Sequence, residues 1–295
     1  MRAPSSHNTQ PWRYRIEGDR LKLFADRSRA LPVNDPHDRE LTISCGASLL
    51  TARVAAAHAG ARLTASLLPD GDEADLLAIA TLAPDPAVDD RLFPAVALRR
   101  THRKGFAARE VDGSALEAMA EAAAMEGAWL DPLDDERRAA FAELVAEGDR
   151  LLFSNANWRR ELAAWMRPRA GGGEGLTVPA GTRFLVRHLD VGRSVARQDA
   201  KLAEGAPLVA LLATERDSAA DWLRAGQALQ RLLLTAANAG LQASYLNQPL
   251  QVDVLRPRVA RLLGQDGSPQ LAIRIGHPSV ELPPSPRRPV EAVLE

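Results

Sequence analysis

The sequence predicts an α+β fold built from two similar halves. Residues 12–26 alternate large apolar and basic side chains around a Gly-Asp turn, which is the pattern of a β-hairpin. Residues 41–58 and 217–240 are rich in Ala and Leu, and each stretch runs out at an Ala-Gly pair, which is the pattern of a buried helix and its stop. Because strand and helix patterns recur in both parts of the chain, we expect each half to contain both.

The remaining elements follow from local patterns. After the hairpin and its Pro- and Asp-rich loop, strands are expected at residues 61–70, 75–83, 207–214 and 271–276. Besides the two buried helices, further helices are expected at residues 114–126, 134–147 and 157–166. Glycines at 171, 172, 173 and 175 predict a flexible break at residues 167–181. The proline-rich tail after residue 282 is expected to be extended, with a short helical end.

A shift of the sequence by 180 positions aligns the two Ala-rich helices. The shift places Gly46 on Gly226 and Gly60 on Gly240, with further matches at Leu49/Leu229, Ala56/Ala236, Ala57/Ala237 and Ala59/Ala239. The strand at 76–80 then has a counterpart at 271–275. A duplicated α+β unit, packed like a dimer within one chain, explains this similarity. The general likeness of Ala-rich helices that end in glycine explains it as well, so both explanations stay open.

Composition excludes several classes of function. The 295 residues are 46% hydrophobic and 25% charged, with a formal net charge of -1, so no overall field attracts nucleic acid or an acidic membrane. Cys45 is the single cysteine, which rules out an intrachain disulfide and fits a reducing compartment. We see no signal peptide and no apolar run near the roughly 20 residues of a membrane span, so a cytoplasmic location is expected.

The first candidate site is the loop APSSHNTQPW near the N-terminus. Its side chains supply hydroxyl and amide groups, which both donate and accept hydrogen bonds: Ser5, Ser6, Asn8, Thr9 and Gln10. Such residues also form ordinary local turns before a strand. The loop by itself therefore leaves a ligand cradle and a simple turn as alternatives.

Two arginine-rich stretches are candidates for an anion site. RRTHRKGF at residues 99–106 combines four basic residues with a hydroxyl and a glycine, and arginine binds phosphate oxygens in a bidentate manner. A solvated basic loop or a nucleic-acid patch is the alternative, and the near-neutral chain weakens the latter. SPRRP at residues 285–289 places two more arginines between stiff prolines, where a disordered C-terminus is the alternative.

Taken together, PSSHNTQPW, RRTHR and HPSVELPPSPRRPVEAVL resemble the FMN-dependent nitroreductase superfamily. The similarity is strongest to its Acg-like single-chain branch of NAD(P)H nitroreductases from actinobacteria, and it extends over nearly the whole chain. The resemblance implies a nitroreductase-like fold, with two fused pseudo-symmetric halves resembling a nitroreductase dimer in one chain. We expect these halves at residues 1–98 and 99–295, with a lid near 155–183.

The resemblance also implies where the cofactor FMN binds. The Arg-Arg-Thr-x-Arg segment would hold the phosphate and ribityl chain through Arg99, Arg100, Thr101 and Arg103. The N-terminal loop would meet the flavin through Pro4, Ser5, Ser6, Asn8 and Gln10. The stretch after the long helix would lie near the ring through Asn247 and Gln248, and the tail would reach the phosphate through Arg287 and Arg288.

The order of these motifs departs from that of two-chain nitroreductases, in which the arginine motif precedes the Pro-Ser-Ser loop. Here it follows the loop, and no second such loop comes after it. Each half then keeps a different part of the site, so we expect one FMN per chain and a monomer. The family normally places a helix before this loop, whereas three residues precede Pro4 here, and a late start of the sequence and loss of the helix are the alternatives.

The expected activity is transfer of electrons from NAD(P)H through FMN to a small electron-poor acceptor, such as a nitroaromatic compound or a quinone. No catalytic residue and no metal ligand set is expected, because the six histidines are scattered and the cofactor carries the redox chemistry. The alternative is an FMN-sequestering protein with a lid and little reductase activity. A third alternative is an interaction protein that binds no flavin.

Overall fold

Two antiparallel sheets, each with one long helix, organise the chain. The computed structural model describes residues 2–69, 73–168, 175–179 and 181–295. Its mixture of helices with antiparallel sheets confirms the α+β class. Residues 169–174 and 180 of the predicted glycine-rich break lie outside the described residues.

The described strands and helices have the following bounds. The strands are β1 (Trp12–Glu17), β2 (Arg20–Ala25), β3 (Ala61–Leu67), β4 (Leu76–Pro84), β5 (Trp129–Pro132), β6 (Met166–Pro168), β7 (Leu176–Val178), β8 (Leu208–Thr214), β9 (Gln242–Tyr245) and β10 (Ser268–Gly276). The helices are α1 (Arg39–His58), α2 (Phe93–Leu98), α3 (Gly113–Ala124), α4 (Asp135–Ser154), α5 (Ala156–Ala164), α6 (Thr182–His188), α7 (Gly192–Glu204), α8 (Ala219–Asn238) and α9 (Arg256–Ala260).

The two four-stranded sheets share one topology. In the first sheet the spatial order is β1-β2-β4-β3, and in the second it is β5-β8-β10-β9. Every neighbouring pair is antiparallel, and in each unit the long helix, α1 or α8, connects the second strand to the third. The two units therefore match in chain order and in strand order. Their origin by duplication, and their boundaries at residue 98, stay predictions.

The units meet where α1 packs against α8. A Cβ atom on Gly226 would lie 2.0 Å from the Ile43 carbonyl oxygen, and one on Gly46 would lie 2.2 Å from the Leu223 carbonyl oxygen. Only glycine therefore permits this approach of the two backbones. Gly46 and Gly226, one of the two glycine pairs that the 180-residue shift aligned, lie next to each other across this interface. Apolar side chains of both helices continue into separate cores beneath each sheet.

Several elements were not predicted, and one helix is longer than expected. The helix predicted at 134–147 continues to Ser154, because Gly148 packs closely against the Gln248 backbone instead of ending the helix. Short elements, including α2 and β9, have too few residues for a periodic pattern. The charged, amphipathic α7 was also missed.

The C-terminal tail returns to the first sheet. The Tyr14 amide donates to the Val293 carbonyl oxygen at 2.7 Å, and the Glu295 amide donates to the Tyr14 carbonyl oxygen at 2.8 Å. A short 3-10 helix at Val290–Ala292 precedes this pairing. The extended tail thus crosses from β10 to β1. Within the described ranges, no helix is long and apolar enough to cross a membrane.

Candidate functional site

A cavity of about 430 Å³ lies where the N-terminal loop, the basic segment, the loop after β9 and the tail converge. Its volume falls within the roughly 300–1,000 Å³ typical of small-molecule sites. Ten of the thirteen candidate residues line it: Pro4, Ser5, Ser6, Asn8, Arg99, Thr101, Arg103, Asn247, Gln248 and Arg287. Four segments that are distant in the sequence are therefore brought together.

The N-terminal loop holds its polar groups in an unusual backbone conformation. His7, Asn8 and Gln10 have φ values of 46°, 56° and 53°, in the left-handed region that non-glycine residues rarely adopt. The Ser6 hydroxyl donates to Glu40 Oε2 at 2.6 Å, which ties the loop to the first turn of α1. Three such residues in four positions mark backbone strain of the kind found at ligand sites. Burial lowers the pKa of His7 to about 4, so its ring is neutral at pH 7.

Asn8 joins the loop to the tail. Its Nδ2 atom donates to the carbonyl oxygens of Gly175, at 3.1 Å, and Pro286, at 3.2 Å. Its Oδ1 atom accepts from Arg287 Nη1 at 2.6 Å. Both polar atoms of its side chain thus bond to positions far away in the sequence, so the loop is not an isolated local turn.

The basic segment lies along the free edge of β9. The His102 amide donates to the Ala243 carbonyl oxygen at 2.8 Å, and Thr101 forms a parallel bridge with the same residue. Gln242 Oε1 accepts from the Arg100 amide at 2.6 Å. The segment is therefore ordered by the sheet, and Arg99, Thr101 and Arg103 are presented to the cavity.

Arg99 is a buried cation that forms no ion pair with the residues that the structure describes. It is 7% exposed, and its Nε and Nη1 atoms have no hydrogen-bond partner among the residues that the structure describes. Burial lowers the pKa of its guanidinium. A guanidinium in this state needs an anion, because an unpaired buried charge is costly.

Three further groups surround the same place. Burial and the neighbouring Arg99 lower the pKa of Arg287 to about 10. Burial raises the pKa of Tyr245, whereas Arg99, Arg103 and Arg287 act against that rise. The Tyr245 hydroxyl is buried and has no partner within the described part of the chain. Three cations and one hydroxyl donor therefore face a common volume, which suits a phosphate group.

The two candidates after β9 have different surroundings. Asn247 Oδ1 accepts from the Ala272 amide at 2.9 Å, so this side chain shapes the loop as well as lining the cavity. Gln248 Nε2 donates to Asp199 Oδ2 at 2.7 Å. Gln248 thus connects the loop to α7.

Three candidates are bonded to the protein and do not line the described cavity. Arg100 donates from Nε to the Leu282 carbonyl oxygen and from Nη1 to the carbonyl oxygens of Ala97 and Arg99. Gln10 Oε1 accepts from the Arg288 amide at 3.0 Å, and Arg288 Nη1 donates to the Gln10 carbonyl oxygen at 2.8 Å. These residues hold the basic segment and the tail in place.

Helix α5 and strands β6 and β7 cover the cavity on one side. Trp158, Leu162, Met166 and Leu176 contribute apolar surface to its wall. Trp158 Nε1 donates to Asn34 Oδ1 at 2.8 Å, which fastens this cover to the first unit. These residues fall in the stretch where a lid was predicted, although residues 169–174 and 180 of that stretch lie outside the described part.

Sequence reasoning missed a pair of carboxyl groups. Asp149 on α4 and Asp199 on α7 both line the cavity. Asp149 lies on the same face of α4 as the buried residues Leu144, Val145 and Leu152. A charged residue on an apolar helix face was therefore the sequence signal that could have identified it. The described ranges contain no group of His, Cys, Asp and Glu residues suited to a metal ion.

Comparison with known proteins places these motifs in a family. The model described as the Nitroreductase family matches residues 96–277. The chain is 33% identical, over 100% of its length and 88% of the relative, to "Putative NAD(P)H nitroreductase Rv3131" of Mycobacterium tuberculosis strain H37Rv. It is 32% identical to "Putative NAD(P)H nitroreductase acg" of the same strain, over 99% of this chain and 92% of that protein.

Solved structures resemble the chain more remotely. The FMN and NADPH-dependent nitroreductase NfnB from sphigopyxis sp. strain HMH is 22% identical, with a TM-score of 0.46. The similarity covers 69% of this chain and 97% of NfnB. A likeness at this level carries no inference about the site.

Proposed function

The chain belongs to the nitroreductase family, and on that premise we propose that it is an FMN-dependent oxidoreductase that takes electrons from NAD(P)H. Membership rests on the family model and on 33% identity over the full chain, and it confirms the family and fold class predicted from the sequence. The proposed acceptor is a small electron-poor molecule, a nitroaromatic compound or a quinone.

The observation that carries the cofactor assignment is the unpaired guanidinium of Arg99. Its buried Nε and Nη1 atoms have no partner in the described ranges, and Arg103, Arg287 and Tyr245 lie around it. A phosphate dianion would supply negative charge to the three guanidinium groups and acceptor oxygens to the partnerless atoms of Arg99 and Tyr245. The residues present therefore fit the phosphate end of FMN.

The rest of the cavity fits the remainder of the cofactor. The wall of Trp158, Leu162, Met166 and Leu176 provides apolar surface for a flat ring. Ser5, Ser6, Asn247 and Gln248 provide neutral hydrogen-bonding groups, which suit the imide and ring nitrogens of a flavin better than charges do. FMN, when bound, accepts hydride from NAD(P)H and passes electrons to the acceptor, while the protein supplies binding, orientation and exclusion of water.

The stoichiometry follows from how the cavity is assembled. The N-terminal loop, the basic segment and the tail each occur once in the sequence, and all three line the same cavity. We therefore expect one FMN per chain. The paired sheets supply within one chain the arrangement of two subunits, so we also propose that the protein is a monomer, which sedimentation of the FMN-loaded protein tests.

The decisive experiment is a titration of purified protein with FMN, followed by anaerobic addition of NADPH or NADH. We expect a yellow protein with one FMN per chain, which bleaches with either nucleotide and regains its colour with a quinone. Bound flavin that stays yellow with both nucleotides would favour the sequestering alternative. A colourless protein whose melting temperature does not rise with FMN would overturn the cofactor assignment.

A further inference from the structure

Asp149 is a buried carboxyl group that is incompletely hydrogen-bonded within the described part of the chain. Its side chain lies in the cavity wall and is 2% exposed. The Oδ2 atom has no hydrogen-bond partner in the part of the chain that the structure describes. A carboxylate that is buried and incompletely hydrogen-bonded is expensive, so the neutral acid is the favoured form.

A second carboxyl group and one amide complete the arrangement. Gln248 Nε2 donates to Asp199 Oδ2 at 2.7 Å, and the same side chain is within hydrogen-bonding reach of Asp149. Burial and the nearby Asp199 raise the pKa of Asp149 to about 8. The pKa of Asp199 is also raised by burial, but Arg274 and Gln248 act against that rise. The proton of the pair therefore resides on Asp149 at pH 7.

The backbone is shaped to hold this pair together. A Cβ atom on Gly148 would lie 2.9 Å from the Gln248 carbonyl carbon, and one on Gly192 would lie 2.7 Å from Phe153 Cβ. Glycine at both positions lets α4 approach the loop after β9 and lets the start of α7 approach α4. The charged groups that face Asp149 are Asp199 from α7 and Arg150 from α4, with Arg274 from β10 acting on Asp199.

We propose that Asp149 is the proton donor of this site, and that its substrates are acceptors that gain an O–H bond on two-electron reduction, quinones in particular. This inference rests on the proposed FMN-dependent activity and goes beyond it by assigning a protein group to the chemistry. Gln248 acts as a positioning residue, because it donates to Asp199 and lies within hydrogen-bonding reach of Asp149. Asp199 acts on the donor through its charge.

The proposed step balances in atoms and charge. FMN, when bound, would supply the quinone with two electrons and one hydrogen as hydride, and NAD(P)H would be the source of that hydride. The second hydrogen is the Asp149 proton: its O–H bond breaks, a new O–H bond forms on the quinone oxygen, and Asp149 is left as a carboxylate. A proton from solution then returns to Asp149 before the next turnover, so each cycle consumes one solvent proton.

The protonation state is tested on the FMN-loaded protein without turnover. Infrared spectra in H2O and D2O should contain a carboxylic-acid band that disappears with a midpoint near pH 8, the pKa of Asp149, and that is absent from Asp149→Asn. Asp199→Asn should move the midpoint to lower pH, because it removes a neighbouring negative charge. Asp135→Asn, on the same helix but 95% exposed, should leave the band unchanged. A band that persists in Asp149→Asn overturns the proposal.

The donor role is tested with two acceptors after reduction of the bound FMN by dithionite. Ferricyanide takes electrons without a proton, whereas a benzoquinone needs one. We expect Asp149→Asn to reoxidise with benzoquinone about 100-fold more slowly at pH 7 and with ferricyanide at the wild-type rate, in line with the usual size of general acid catalysis. Equal effects on both acceptors overturn the donor role alone. Failure of the wild-type protein to bind FMN overturns the proposed function and the donor role together.

Discussion

Arg287 Nη1 donates a hydrogen bond to Asn8 Oδ1 at 2.6 Å, across 279 positions of the chain. The amide of the same asparagine donates to the Pro286 and Gly175 carbonyl oxygens. The side chain of Asn8 therefore joins the beginning of the chain to its end and to Gly175, which falls within the predicted lid. Arg287 is at once a member of the cationic cluster and the partner of Asn8, so Asn8 orients a guanidinium toward the proposed phosphate position.

Replacement of Asn8 by Ala should weaken FMN binding about tenfold. The change removes the acceptor that orients Arg287, and a hydrogen bond to a charged group contributes roughly 1.5–3 kcal/mol. It also removes the Asn8 donor from the Gly175 carbonyl oxygen and leaves the Pro286 carbonyl oxygen with Gln10 Nε2, which should lower the free energy of unfolding by about 1–3 kcal/mol while the fold is kept. Calorimetric titration with FMN and urea unfolding measure the two effects.

Arg287→Met supplies the matched comparison. If Asn8 acts through Arg287, the double variant should bind FMN about as weakly as Arg287→Met alone, because the effects of coupled neighbours do not add. Fully additive losses in the double variant would mean that Asn8 contacts the cofactor independently. Unchanged FMN affinity in Asn8→Ala would return the loop to the role of an ordinary turn.

Arg99 and Arg100 are neighbours in sequence with different expected effects. Arg99→Met should lower FMN affinity by about 10- to 100-fold and leave riboflavin affinity unchanged, because a charge-assisted bond to phosphate is lost. Arg100→Met should change neither the FMN affinity nor the riboflavin affinity, since the Arg100 guanidinium is bonded to backbone carbonyl oxygens. Binding of FMN and riboflavin to each variant is measured by fluorescence quenching.

The FMN-free protein gives a second readout for Arg99. Without the cofactor, Arg99→Met should raise the melting temperature, because it removes a buried guanidinium whose Nε and Nη1 atoms lack partners in the described ranges. A lower melting temperature of Arg99→Met without FMN, together with equal losses of FMN and riboflavin affinity, would argue against a phosphate at Arg99.

Much of the fold was predictable because its long elements carry strong patterns. The hairpin of β1 and β2 and the helices α1 and α8 were predicted to within a few residues, since their apolar periodicity and glycine stops are local signals. The four-residue strand β9 was not predicted, although it orders the basic segment, because its role depends on a neighbour 142 positions away.

Within the site, motifs predicted which segments meet but not what each side chain does there. Arg99 and Arg100 are equivalent in sequence, yet the Gln242 side chain binds the Arg100 amide and turns only Arg99 toward the cavity. Asp149 belongs to no motif in the sequence. Its chemistry arises from burial on α4 and from Asp199 on another helix, both of which are properties of the folded chain.

The contact between α1 and α8 predicts an effect on stability. Gly226→Ala should lower the free energy of unfolding by about 3 kcal/mol or more, because the added methyl group would lie 2.0 Å from the Ile43 carbonyl oxygen and the two backbones must separate. Gly113→Ala is the control, since nothing lies within 4 Å of the added atom in α3. Urea unfolding should show the control to be neutral or slightly more stable. Equal stability of the two variants would contradict the close packing of the helices.

The pKa of Asp149 predicts how stability changes with pH. In the unfolded chain the group titrates near its ordinary value of 3.8, and in the folded protein near 8. Below pH 4 both states hold the proton, so Asp149 does not disfavour folding. Between about pH 4 and 8 the unfolded chain releases the proton while the folded protein keeps it. The free energy of unfolding should therefore fall as pH rises, by on the order of 1 kcal/mol per pH unit.

Asp149→Asn isolates this contribution, because the amide has nearly the same shape and does not titrate. The variant should match the wild-type protein in urea unfolding near pH 3, where both states hold the proton, and should be more stable by several kcal/mol at pH 8. Asp135→Asn, which changes an exposed carboxyl group on the same helix, should follow the wild-type curve with a constant offset. If the difference between Asp149→Asn and wild type stayed constant from pH 4.5 to 8, Asp149 would be ionised in the folded protein across that range.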